Sequence, residues 1–214
     1  LKKILLFGFI IVSINLHSQI MTRYFIEGVE IVDYVTLEIC ADSINGINNV
    51  ELIAEKTTHK NQANIDQLVN YIKSFDYPKD GPLIGRCGNL AFSFMNPEFE
   101  NLKLNENEIE ECSKFRLGNY SYHHINHQDT KIKRRKKMQK EKSYKSRQIY
   151  SINWTSNSTY TLTYKRMSDD NLKNLIGEKI EVEILKLLDN DGYVYRSTSP
   201  KGIVYYGAIY KSKK

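Results

Sequence analysis

The side chains best equipped for chemistry in this chain are cations, and they are bunched. From Lys131 to Arg147 the sequence carries ten Lys or Arg against one acid, Glu141. The stretch sums to +9 in a chain of net charge +6, so everything else sums to −3. A local concentration of this kind is how proteins bind phosphate and sulfate groups. Tyr144 and Tyr150 lie close by and supply rings that could stack or pack. The candidate anion-binding residues are Lys131, Lys133, Arg134, Arg135, Lys136, Lys137, Lys140 and Lys142. The competing reading is a solvated hairpin whose lysines blunt an exposed strand edge against aggregation.

Other groups are weaker candidates. His123, His124 and His127 sit together with Asp129 behind them. On a strand, His123 and His127 would share a face and could hold a metal with the carboxylate, but the spacing matches no known site. Surface or loop histidines beside a basic run are the simpler expectation. Glu181 and Glu183 are carboxylates of the kind glycosidases pair, yet they alternate with Ile180, Val182 and Ile184 and read as the wet side of a half-buried strand. There is no Gly-x-Ser-x-Gly, no His-Glu-x-x-His and no phosphate-cradling glycine loop. No catalytic residue, cofactor or metal ligand is therefore assigned, and a binding protein is expected over an enzyme. A secreted hydrolase is the alternative, and a nucleic-acid-associated protein a further one. A deep cleft with converging His and carboxylate groups would favour the enzyme; a filled barrel with a basic rim would favour the binder.

The first nineteen residues bear on location. Lys2 and Lys3 precede an uncharged apolar run, Ile4 to Ile14, and then Leu16-His17-Ser18-Gln19. That is the layout of a secretory signal peptide, with an apolar run too short to span a bilayer. The expectation is a secreted or periplasmic protein with no transmembrane segment after processing. In an oxidising compartment, Cys40, Cys87 and Cys112 allow one disulfide and leave one thiol over, without fixing the pair.

Two regions must position these groups. Residues 20–111 read as mixed α and β. Tyr24-Phe25-Ile26, Val29-Glu30-Ile31, Val50 to Ala54 and Leu90 to Met95 are strand candidates, and Tyr34 to Ile44 is a candidate helix. The strongest helix runs from Ala63 to Phe75, where Ile65, Leu68, Val69 and Ile72 form one apolar stripe. Residues 96–111 are acidic and polar and read as a surface connector. Residues 112–214 change character: eleven of the fifteen tyrosines lie there. Tyr150-x-Ile152-x-Trp154 and Tyr160-x-Leu162-x-Tyr164 flank a turn and predict a hairpin. Ile180 to Ile184, Tyr193 to Arg196 and Ile203 to Tyr210 follow across tight turns, with a short helical stretch from Ser168 to Gly177 before them that turns Leu172, Leu175 and Ile176 inward. The fold class is α+β, with a mixed N-terminal region and a C-terminal antiparallel β-meander, closed as a small barrel or strongly curled.

Cys112-x-x-Phe115-x-x-Gly118-x-Tyr120, Ile152-x-Trp154, Tyr160-x-Leu162 and Ile176-Gly177-x-x-Ile180-x-Val182-x-Ile184 together resemble a family of small secreted Bacteroidetes proteins of unknown function. The likeness covers residues 112–214, and its motifs are structural. The family pattern places a Cys where this chain has Ser158, so the partner it implies for Cys112 is missing. Cys112 is then free or bonded to Cys40 or Cys87. Tyr24 to Thr57 more weakly resembles the strand-helix-strand unit of TonB-receptor plug domains, and Gly118-Asn119-Tyr120 is similar to the Gly-x-Trp that opens lipocalin-type barrels. The partners these readings imply are polyanions outside the cell: lipopolysaccharide, acidic polysaccharide or DNA.

Overall fold

The structure is a computed structural model that describes residues 22–124, 127–144 and 146–212. The proposed signal peptide, residues 1–19, and its cleavage point lie outside the described residues, as does Lys145.

The N-terminal layer is a four-stranded sheet ordered β1-β4-β2-β3. Its strands are β1 (Arg23–Phe25), β2 (Val32–Asp42), β3 (Gly46–Leu52) and β4 (Arg86–Met95). β1 runs parallel to β4; the other neighbours are antiparallel. Helix α1 (Gln62–Lys73) covers one face. Asn61 caps it, accepting from the backbone N–H of Ala63 and Asn64. Ile65, Leu68 and Ile72 are buried against Val35, Leu37, Ile39, Phe92 and Phe94, with Val69 half-buried beside them. The stripe read from the sequence is the buried one.

The segment from Tyr34 to Ile44, expected as a helix, lies largely in the long central strand β2. Val35, Leu37 and Ile39 face α1, while Val32 and Tyr34 face the C-terminal domain. A strand buried on both faces shows no polar alternation, which is why its period is hidden. Val29-Glu30-Ile31 is a bend rather than a strand, and Ala54–Lys56 is a 3₁₀ turn. Cys40 and Cys87 are register partners on β2 and β4 and form the disulfide, with Cα atoms 4.0 Å apart; Cys112 is a buried free thiol.

Residues 96–111 are more than a connector. Pro97–Glu100 forms a 3₁₀ turn that buries Phe99 completely. α2 (Glu106–Glu111) starts with a reciprocal Asn105–Glu108 capping box and buries no residue.

The C-terminal domain is a closed barrel of eight antiparallel strands joined in chain order. They are β5 (Gly118–Tyr122), β6 (Lys131–Arg135), β7 (Met138–Lys142), β8 (Arg147–Trp154), β9 (Thr159–Met167), β10 (Lys179–Leu188), β11 (Gly192–Thr198) and β12 (Val204–Lys211). β12 returns to pair with β5, so the barrel has no free edge. Asp170–Leu175 forms a 3₁₀ helix after β9, with Leu172 and Leu175 half-buried but Ile176 exposed. Another 3₁₀ turn, Cys112–Phe115, precedes β5, and both its end residues are fully buried. Gly118 follows at φ 140°, where a Cβ would stand 3.1 Å from the Tyr120 hydroxyl. That space lets Tyr120 fold back and donate to the carbonyls of Phe115 and Leu117. The glycine opens the strand at a backbone angle that L side chains rarely adopt.

The sheet and barrel share a buried contact. Val32, Tyr34 and Met95 cluster with Ile31 and Tyr206, and Phe99 clusters with Leu185, Val194 and Ala208.

Candidate functional site

The basic stretch is split by the pleat of β6 and β7. Successive strand side chains point to opposite faces. Ile132, Arg134, Gln139 and Glu141 therefore point into the barrel and are buried. Lys131, Lys133, Arg135 and Lys142 are exposed outside, Lys136 and Lys137 are exposed in the tight turn, and Lys140 is half-exposed. Lys131 stands opposite Lys142, Lys133 opposite Lys140, and Arg147 of β8 opposite Lys142. Across β5 the outward partners are the neutral Ser121 and Asn119. None of the ion pairs among the described residues includes a cation of this hairpin. Repulsion lowers the Lys140 pKa below its usual value, chiefly from Arg147, then through slight desolvation and the neighbouring Lys142 and Lys133.

Arg134, a candidate on the sequence reading, is not part of that face. Only 2 % of its surface is exposed. Its Nε donates to Gln139 Oε1 at 2.9 Å. One terminal nitrogen donates to the Phe115 carbonyl and to Tyr193 Oη, the other to Tyr160 Oη. Its guanidinium also lies over the Tyr120 and Tyr160 rings, 5.1 and 4.8 Å from their centroids. Through Phe115 it ties the 3₁₀ turn before β5 to the barrel interior. Gln139 then donates to Glu141 Oε1 at 2.7 Å, and Tyr122 donates to the same oxygen at 3.0 Å. Burial raises the Glu141 pKa; those two hydrogen bonds and the charge of Arg134 pull it back in part. A cavity of about 90 Å³ lies beside this network, lined also by Tyr150, Leu162 and Tyr195.

The histidines do not lie on a strand. β5 ends at Tyr122, and the His124 ring stacks 3.9 Å from the ring of Tyr34 on the N-terminal sheet. His127 is 4.8 Å from His124, centroid to centroid. Burial pulls the His124 pKa down to about 4, helped by His127 and His123, and burial also lowers His127. Among the described residues, the ligand-type cluster that converges is Glu38 with Cys40 and Cys87, whose sulfurs are bonded to each other.

Two features escaped the sequence reading. His59 is buried between β2 and α1, its Nδ1 2.9 Å from Asp33 and its Nε2 3.1 Å from the Asn64 amide. With both ring nitrogens occupied, it clamps the helix to the sheet. The second is a cleft of about 1110 Å³ between the N-terminal layer and the outer wall of β9–β12. Glu181 and Glu183 line it, as does Arg196, which donates to Glu183 across β10 and β11. The outward polar positions of the strands were visible as alternation; the opposite wall comes from residues between Arg23 and Glu100, far earlier in the chain, which no local pattern joins to them.

No protein-family model matches the chain, and no curated protein or solved structure resembles it at a significant level.

Proposed function

We propose that this is an exported, non-enzymatic protein that binds anionic polymers outside the cytoplasm through the outer face of β6, β7 and the start of β8. The observation that carries the reading is a row of cations that form no ion pair among the described residues, on strands that have no edge to protect. β6 is bonded to β5 and β7, and β7 to β6 and β8. Blunting an edge therefore does not account for the lysines. Like charges placed opposite one another cost stability, and an anionic partner relieves that cost. Outward neighbours on one strand repeat every ~6.5–7 Å, and adjacent strands lie ~5 Å apart. Flexible stems on that grid track charge density, so lipopolysaccharide, acidic polysaccharide and DNA are all suitable partners. The Bacteroidetes-type resemblance and the signal-peptide layout support the location.

The hydrolase reading has one supporting feature, the carboxylates Glu100, Glu181 and Glu183 in the cleft. No histidine lines that cleft among the described residues, and Glu183 is engaged by Arg196. The binder is the better-supported reading.

The test is retention on heparin, lipopolysaccharide and DNA at 50 and 200 mM salt. If about five cations meet phosphates, DNA affinity should fall about 500-fold over that range. Replacing Lys133, Arg135, Lys140 and Lys142 by Ser should weaken all three ligands together. Undiminished binding by that variant places the site elsewhere, and a wild type that ignores all three polyanions at low salt ends the proposal.

A further inference from the structure

The cleft carries chemistry of a different kind from the basic face. One rim is aromatic: Tyr24 meets Tyr71 edge-on at 6.4 Å, and Phe25 meets Tyr206 edge-on at 5.8 Å. Tyr71 is 41 % exposed and Phe25 38 %, although both are large rings. The barrel wall is mixed, with Val182, Val204 and Tyr206 set among polar side chains. It presents Thr159, Thr161 and Thr198 beside Glu181 and the Glu183–Arg196 pair, and Asn64 and Gln67 of α1 add amides. Two arginines, Arg23 and Arg196, stand against three glutamates, Glu100, Glu181 and Glu183, so the site has no cationic excess to draw in a polyanion. Ile26, Leu68, Met95 and Val204 add apolar surface, but a lipid chain laid along the cleft would also cover Glu100, Glu181 and the Glu183–Arg196 pair, which would lose their hydration without replacement.

We infer that this cleft is a binding site for an uncharged carbohydrate chain. A pyranose ring has an apolar face of C–H groups and an equator of hydroxyls. Aromatic rings such as Tyr71 and Phe25 take the first, while carboxylates, amides and guanidinium groups take adjacent hydroxyls two at a time. The volume of about 1110 Å³ exceeds what a single sugar needs and leaves room for several linked rings. The Glu183–Arg196 pair is held before any ligand arrives, which lowers the cost of ordering it on binding. The Tyr24 hydroxyl is buried behind its ring and has no hydrogen-bond partner among the described residues, so Tyr24 offers the cleft its ring rather than a donor. Burial pushes its pKa up to about 12, so it stays protonated at any physiological pH.

The experiment is calorimetric titration of the full chain with cello-, chito-, malto- and mannohexaose at millimolar concentration, in 0.5 M NaCl to silence the basic face. Binding of at least one hexaose is expected. Tyr71→Ala and Glu181→Gln should each weaken it at least tenfold, while Lys133→Ser with Lys140→Ser leaves it unchanged. Both cleft positions are at the surface, and circular dichroism of each variant should match wild type. No binding of any hexaose overturns the inference, as does binding that survives both cleft variants. An extended peptide that binds where the sugars do not makes the cleft a peptide groove instead. Release of new reducing ends would keep the site and overturn the non-enzymatic reading, so the two proposals fail separately.

Discussion

The N-terminal layer and the barrel fill their interiors with opposite chemistry. Between α1 and the sheet the core is mainly Val, Leu, Ile and Phe, with its ionisable group, His59, held at the margin by Asp33 and Asn64. The barrel encloses Arg134, Gln139 and Glu141 among tyrosines. The first core is held by the area removed from water and tolerates any shape that fills it. The second is held by a chain of donors and acceptors, each of which needs its partner. The difference also bears on specificity. The dry core sits behind a disulfide and a capped helix, while the polar chain fixes which strand neighbours which, because Arg134 on β6 reaches Tyr160 on β9 and Tyr193 on β11.

The largest effect expected from this contrast is at Arg134. Arg134→Ala removes the donor that serves four acceptors and leaves Glu141 buried without a nearby cation. It should cost about 3–5 kcal/mol in a urea titration of the full chain. Replacing Arg134, Gln139 and Glu141 together by Met and Leu, with Tyr122→Phe so that the hydroxyl bonded to Glu141 is not orphaned, should come out within about 1 kcal/mol of wild type, because a desolvated network is exchanged for apolar packing. A loss under 1 kcal/mol for Arg134→Ala alone would mean the network is decorative. In the dry core, Leu68→Ala should cost about 2–5 kcal/mol, and a second truncation at Ile72 should cost less than its own single value because the two share a cavity. Additive losses there would show that the helix stripe does not pack as one unit.

How much of this was legible differs between the two halves. Barrel strands wet on one face declare themselves by alternation, as in Ile180-Glu181-Val182-Glu183-Ile184, and β8 to β12 were readable on that basis. The central strand β2 was not, because two partners cover it and it loses its polar side. The basic stretch was legible as charge but not as geometry. The signal was present: Ile132 alternates with Lys131 and Lys133, so the same parity puts Arg134 inside, and across the turn Gln139 and Glu141 share it. The eye follows a run of cations as one object, and the pleat divides it in two. Cys40–Cys87 required the register of β2 on β4, and the cleft required two domains to be docked; neither is a local property.

A smaller effect separates the contact between the two halves from either core. His124 rests on Tyr34, and its folded pKa of about 4 lies below the ordinary His value of 6.5. The unfolded chain therefore binds more protons between those values, and stability falls as pH drops from about 6.5 to about 4. His127, also lowered by burial, acts in the same direction. Glu141 acts oppositely, since its raised pKa favours the folded state at lower pH and that contribution is lost as pH rises. The difference between wild type and His124→Phe isolates the first contribution: about 1–2 kcal/mol over that window, after allowing for partial exposure. Parallel pH profiles for the two proteins would remove His124 from the contact.

The smallest effect on stability belongs to the face proposed to bind, and its sign is informative. Lys133 and Lys140 stand directly opposite one another, and no acid relieves them among the described ion pairs. A residue kept only for folding should cost stability when replaced. Here Lys140→Glu should instead gain about 0.2–1 kcal/mol, because it turns a like-charge pair into an opposite one. That gain should shrink in 0.5 M NaCl, where the Debye length falls to about 4 Å. The same substitution should weaken heparin retention. A protein stabilised and disarmed by one change retains Lys140 for its partner at the expense of its fold. If Lys140→Glu destabilises by more than 1 kcal/mol in low salt, or leaves heparin retention as it was, the cations of β6 and β7 serve the barrel and the contrast between inside and outside of this hairpin loses its functional meaning.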